Sequence, residues 1–111
     1  MIDFYHSKKW ERLRGLVLRR DGYMSQLSKR YGKRIQANTV HHIFPREDFP
    51  EYQYQGWNLI SVTHDEHNGL HDRTTGKLSS DGLELLKRTA RKRGMKLDGI
   101  LERLSERTGD L

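Results

Sequence analysis

The sequence predicts an α+β fold, in which a short strand pair leads into a short helix, with one helix before this unit and further helices after it. Three observations predict it. Apolar residues recur at helical spacing over 7–20, with Trp10, Leu13 and Val17 on one side. The stretch from Ile35 to Phe44 carries β-branched Thr39, Val40 and Ile43, which suit an extended chain. The run Thr63-His64-Asp65-Glu66 opens a helix by a capping box, just after a second extended piece at 58–62.

In chain order, Ser7 caps the first helix and Asp21-Gly22 ends it. Residues 23–34 are polar, with a turn at Tyr31-Gly32, and the spacing predicts no regular element there. Pro45 and Pro50 bracket a loop between the extended pieces. The helix begun at Thr63 is expected to run to about Arg73 and stop before Gly76. Another starts near Asp81, where Asp81 and Glu84 repeat the box pattern, and ends at Gly94. Residues 97–107 suit a last helix with Ile100, Leu101 and Leu104 on one side.

The chain has 111 residues, enough for one domain, and no cysteine, so no disulfide and no thiolate metal site can form. No apolar run approaches the ~20 residues needed to cross a bilayer, and the first ten residues lack a secretory core. These features point to a cytoplasmic protein with no membrane partner. The net charge is +6, and its distribution is uneven. Ten Lys or Arg fall in 8–34 and six in 87–96, whereas 37–72 is acidic apart from Arg46 and holds five of the six histidines. Basic flanks around a histidine-rich, acidic centre suit a metal site presented to a phosphate backbone.

His67 and His71 stand four apart, the spacing by which one helix turns two ligands to one metal. His41 sits on the preceding extended segment and can complete a three-imidazole set with open positions for water or phosphate. In a regular strand, its neighbour His42 points the other way. His42 is therefore better placed as a base, since its ordinary pKa of about 6.5 lets it take a proton from water near neutral pH.

The order Val40-His41-His42-Ile43, Trp57-Asn58-Leu59-Ile60, His67-Asn68, His71 resembles the HNH, or ββα-metal, nuclease motif. Residues 10–22, of the form W-x-x-L-R-x-x-V-L-x-R-D-G, resemble the lead-in of small phage and prophage HNH proteins. The resemblance covers roughly residues 4–73. It implies an α+β chain with a small ββα-metal core, an N-terminal helix and C-terminal helices. With the elements read above, the expected organisation is a nuclease domain over 1–94 and a helical tail over 95–111. The implied activity is hydrolysis of double-stranded DNA to 5′-phosphate and 3′-hydroxyl ends. One divalent ion (Mg, Mn, Ni or Zn) would be held by His41, His67 and His71. His42 is then the general base, and Asn58 hydrogen-bonds across the loop to hold the His42 segment. Arg46 in the loop and Arg73 beyond His71 are the candidates to touch the scissile phosphate.

Many such proteins carry two C-x-x-C pairs that bind a structural zinc. The matching positions here read Ser25-Gln26-Leu27-Ser28 and Thr63-His64-Asp65-Glu66, so no structural zinc is expected. Apolar contacts by Tyr23, Leu27, Tyr31, Ile35 and Trp57 would then have to order a mobile 23–34 segment beside the Thr63/Glu66 cap. Two rival readings remain open. One is a non-catalytic DNA-binding module whose histidines, with His64 as a fourth, close around a structural metal. The other, from the resemblance, is a helper of the phage terminase in DNA packaging, docking it or a second copy through the tail.

Overall fold

The first helix forms as the spacing predicts, and its cap explains where it begins. The protein is described here by a computed structural model covering residues 3–107. Helix α1 spans Lys8–Arg20, and the Ser7 hydroxyl accepts from the Trp10 amide at 3.2 Å. It buries Trp10, Val17 and Leu18 against Val40 and Leu59 of the sheet. Its C-terminal end is fastened to the same sheet. The Arg20 guanidinium donates to the carbonyls of Gly56 and Leu59, and the Asp21 carboxylate accepts from the Ser61 amide.

The sheet has two antiparallel strands, β1 (Thr39–His42) and β2 (Leu59–Val62), in the register Thr39↔Val62 to His42↔Leu59. It is shorter than the extended stretches in the sequence. Gln36 pairs instead with Met24, and Asn58 lies in a 3-10 turn, Gly56–Asn58, just ahead of β2.

Two other expectations are corrected. Residues 23–34 contain a helix, α2 (Gln26–Arg30), capped by the Ser25 hydroxyl at the Ser28 amide. Only part of the apolar contacts expected to order it form. Leu27 and Trp57 pack on the core, but Tyr23, Tyr31 and Ile35 are exposed. Glu66 supplies a further anchor, its carboxylate accepting from Ser25 at 2.5 Å and Ser28 at 2.6 Å.

The second correction concerns α3, which spans His64–Gly69 and does not reach Arg73. The Thr63/Glu66 capping box forms as predicted. Asn68 and Gly69 propagate a helix poorly, and competing bonds take over beyond them. Ser79 donates its hydroxyl to the Gly69 carbonyl and its amide to the Leu70 carbonyl, His71 pairs with Leu78, and the Asp72 carboxylate caps the amides of Thr74 and Thr75.

Helix α4 (Ser80–Lys92) starts at Ser79, whose hydroxyl accepts from the Gly82 amide, and not at Asp81. A Cβ at position 82 would collide with the Leu70 carbonyl oxygen, so glycine lets α4 press against the end of α3. Helix α5 (Leu97–Arg107) follows, and residues 108–111 of the expected tail lie outside the described residues. Phe44, Phe49, Leu70, Leu85, Leu86, Ala90 and Ile100 form the second core cluster, which clamps the 45–57 loop to α4 and α5. No helix among the described residues is long and apolar enough to cross a membrane.

Candidate active site

β1 carries His41 and His42 to the point where the strand ends, and strand alternation sends the two rings apart. His41 faces α3, and His42 faces α1.

On the α3 side three imidazoles converge. The His41 ring lies 5.3 Å from that of His67 and 5.2 Å from that of His71, and the latter two are 5.0 Å apart. One ring nitrogen from each falls within 4.8 Å of the others. His71 reaches this position from beyond the helix, in the turn that pairs it with Leu78, rather than from the helical face that its spacing suggested. Its Nδ1 is bonded to the Gly76 carbonyl, which can only accept, so Nε2 is left with a lone pair.

His41 is 1% exposed, and both its ring nitrogens are buried without a hydrogen-bond partner among the described residues. Buried polar atoms are almost always partnered. Burial, and then the neighbouring histidines, hold its pKa well below the usual 6.5. His67 is lowered too, by burial first and then by His71 and His64. Neutral imidazoles with unused lone pairs are the donors that a borderline divalent ion takes, so the residues present fit a metal of that class. His64 lies outside this cluster, which among the described residues has three members and not four.

On the α1 side, the His42 ring stacks on the Trp10 indole, with centroids 5.0 Å apart and planes at 21°. Its Nε2 lies 3.0 Å from the Gln53 carbonyl oxygen. That oxygen only accepts, so Nε2 carries the proton and Nδ1 is the basic atom. Burial lowers the His42 pKa, the Gln53 bond opposes this, and Arg46 and His67 add to the lowering. At neutral pH the ring is ready to accept a proton.

Asn58 is fully buried. Its Oδ1 accepts from the Phe44 amide at 2.7 Å, and its Nδ2 donates to the carbonyls of Phe44 at 3.1 Å and Tyr52 at 3.2 Å. The side chain thus ties together the two ends of the loop that holds Arg46 and Gln53. Arg46 lines a cleft of about 280 Å³ together with His41, His42, His67 and His71. Arg73 lies on the outer side of the same histidines, in a hollow with His67, Asn68 and His71.

Four contributors were not legible in the sequence. Gln53 acts through its backbone, which leaves no side-chain signal. Trp10 reads as a core residue of α1, and it is one. Phe4 and Tyr5 approach His42 at 5.8 Å and 6.2 Å, contacts that no spacing in the sequence marks.

No protein-family model and no curated protein matches the chain. Among solved structures it is similar to the HNH endonuclease of the deep-sea thermophilic bacteriophage GVE2, crystallised with a manganese ion. The identity is 37%, the TM-score is 0.57, and the match covers 59% of this chain and 71% of that one.

Proposed function

The chain belongs to the HNH endonuclease family, and from this premise we propose that it is a divalent-metal-dependent endonuclease that hydrolyses double-stranded DNA. The observation that carries the reading is the pair of back-to-back arrangements at the end of β1. Three imidazoles converge on one side, and a fourth, held at Nε2 by the Gln53 carbonyl, borders the same cleft.

His42 takes the proton of the attacking water at Nδ1, while the Gln53 carbonyl and Trp10 keep its ring from turning. Asn58 acts by positioning, since it holds the loop that places the Gln53 carbonyl. His41, His67 and His71 would hold the divalent ion. When bound, it would supply Lewis-acid stabilisation of the negative charge that develops at the reacting phosphate. Arg46 and Arg73 flank the histidines and contact the scissile phosphate. Attack by the water at phosphorus breaks the bond to the 3′ oxygen, which takes a proton from solvent, leaving 5′-phosphate and 3′-hydroxyl ends. The basic stretches in 8–34 and 87–96 supply salt-dependent, sequence-independent affinity for the duplex. The neighbour's phage origin supports a phage or prophage setting, and the resemblance of the motif to small phage HNH proteins suggests action in the bacterial cytoplasm beside the terminase that packages DNA. A structural-metal module would need a fourth ligand, and the three-membered cluster favours the enzyme.

The test is nicking of supercoiled plasmid after chelation and re-addition of Mn²⁺, Ni²⁺ or Mg²⁺. Cleavage should return with at least one ion, and His42→Ala should abolish it while metal and DNA binding persist. DNA binding without nicking in every ion would favour the module. Nicking by His42→Ala at the wild-type rate would remove His42 from the base role.

A further inference from the structure

The N-terminal turn Phe4–His6 lies against the metal cleft. The Arg46 guanidinium carbon sits 4.2 Å from the centre of the Phe4 ring and 5.3 Å from that of Tyr5. Phe4 is held in turn by Trp10 and Tyr54, each with its ring centre 5.3 Å away. Tyr5 is 46% exposed and shares the cleft wall with Arg46 and the four histidines. The Arg46 Nε is buried, yet it donates to no acceptor among the described residues. A guanidinium seated over an aromatic ring can turn the edge that bears its terminal N–H groups away from the ring, and those groups match the paired oxygens of a phosphate. An arginine packed over Phe4 and beside Tyr5 at the wall of the cleft is arranged for an anion that arrives from solvent.

We propose that Phe4 and Tyr5 form a positioning platform that holds the Arg46 guanidinium at the cleft for bidentate capture of the scissile phosphate. The N-terminal turn is thereby part of the cleaving site. This rests on the nuclease reading above, and the experiment separates the two.

The measurement is a kinetic double-mutant cycle on plasmid or duplex oligonucleotide. Arg46→Ala should lower kcat/KM by roughly 10–100-fold, the value of a hydrogen-bonded charge contact, with a raised KM. Phe4→Leu and Tyr5→Ala together should lose most of the same factor. Adding Arg46→Ala to that pair should cost less than a further twofold, and Phe4→Tyr, which retains a ring, should restore activity. The metal-induced rise in Tm should be unchanged in all of them. Tyr5→Ala, at an exposed position, carries the cycle if Phe4→Leu fails to fold. Multiplicative losses, an unimpaired platform mutant beside an impaired Arg46→Ala, or an Arg46→Ala enzyme of wild-type rate would each overturn the platform while leaving the nuclease reading intact. Failure of the unmutated chain to nick in any ion would instead strike the nuclease reading itself.

Discussion

The Ser25 hydroxyl donates to Glu66 across 2.5 Å, joining two positions 41 residues apart in the chain. Ser28 donates to the other oxygen of the same carboxylate, and the Thr63 amide and hydroxyl close the set by bonding to the Glu66 side chain and amide. One side chain therefore caps α3 and fastens α2 to it. These are the four positions at which the resemblance led one to look for cysteines, and hydrogen bonds to a carboxylate now cross-link them.

Glu66→Ala should leave the Thr63 hydroxyl on the position-66 amide but remove the reciprocal bond from the Thr63 amide, and it should strand the Ser25 hydroxyl proton at a fully buried position. A lost hydrogen bond costs about 1 kcal/mol and an orphaned buried hydroxyl about 1–3 kcal/mol, so a loss of about 2–4 kcal/mol is expected. In a chain of this size that lowers Tm by about 10 °C or more. Glu66→Gln should cost less, because its carbonyl still accepts. Equal melting of Glu66→Ala and the unmutated chain would show that the cross-link does not hold α2.

How far the fold could be read ahead of the structure depended on how local the deciding forces were. Helix α1, its Ser7 cap and the Thr63/Glu66 box are set by neighbours within a turn, and they form as read. Helix α2 was missed because its anchor, Glu66, lies 38–41 residues away. The His67/His71 spacing pointed to the right convergence by the wrong path: a bend after Gly69, closed by Ser79 and Leu78, brings His71 round where a longer helix was expected. In the site, the histidines and Asn58 announce themselves by type. The Gln53 carbonyl and the Phe4 platform under Arg46 do not, since backbone atoms and aromatic faces look the same wherever they stand.

Burial holds His41 well below 6.5 and lowers His42 and His67, so the folded chain binds fewer protons than the unfolded chain as the pH falls below about 6.5. Stability should therefore fall from pH 7 to pH 5.5, by up to about 1.4 kcal/mol per pH unit for each histidine kept neutral. Glu66 is also lowered, because its bonds from Ser25, Ser28 and Thr63 outweigh its burial. Its contribution is present above its ordinary 4.5 and is lost only as the pH falls below that, outside this window. Mn²⁺ should raise Tm at pH 7 and raise it less at pH 5.5, where protons compete for the imidazoles. His41→Asn should flatten the pH slope and remove the ion's effect. Melting curves that coincide from pH 7 to 5.5, or a metal shift that survives His41→Asn, would contradict this account.

Asn58 offers a sharper comparison, because its acceptor and its donors serve different partners. Asn58→Ala strands the buried Phe44 amide and the carbonyls of Phe44 and Tyr52, at a cost of about 2–5 kcal/mol. Asn58→Asp keeps the acceptor for the amide but sets a carboxylate against two carbonyl oxygens at a fully buried position. At pH 7.5 it should be the less stable of the two. Burial would raise the new carboxyl's pKa, and once protonated it can donate to one carbonyl, so the gap should narrow at pH 5.5. Both variants loosen the loop that carries Gln53 and Arg46, so plasmid nicking should fall further than the folded fraction does. Urea melts at the two pH values, run beside nicking assays, would read both effects. An Asn58→Asp protein more stable than Asn58→Ala at pH 7.5, or either variant nicking at full rate, would mean that the loop does not depend on this side chain.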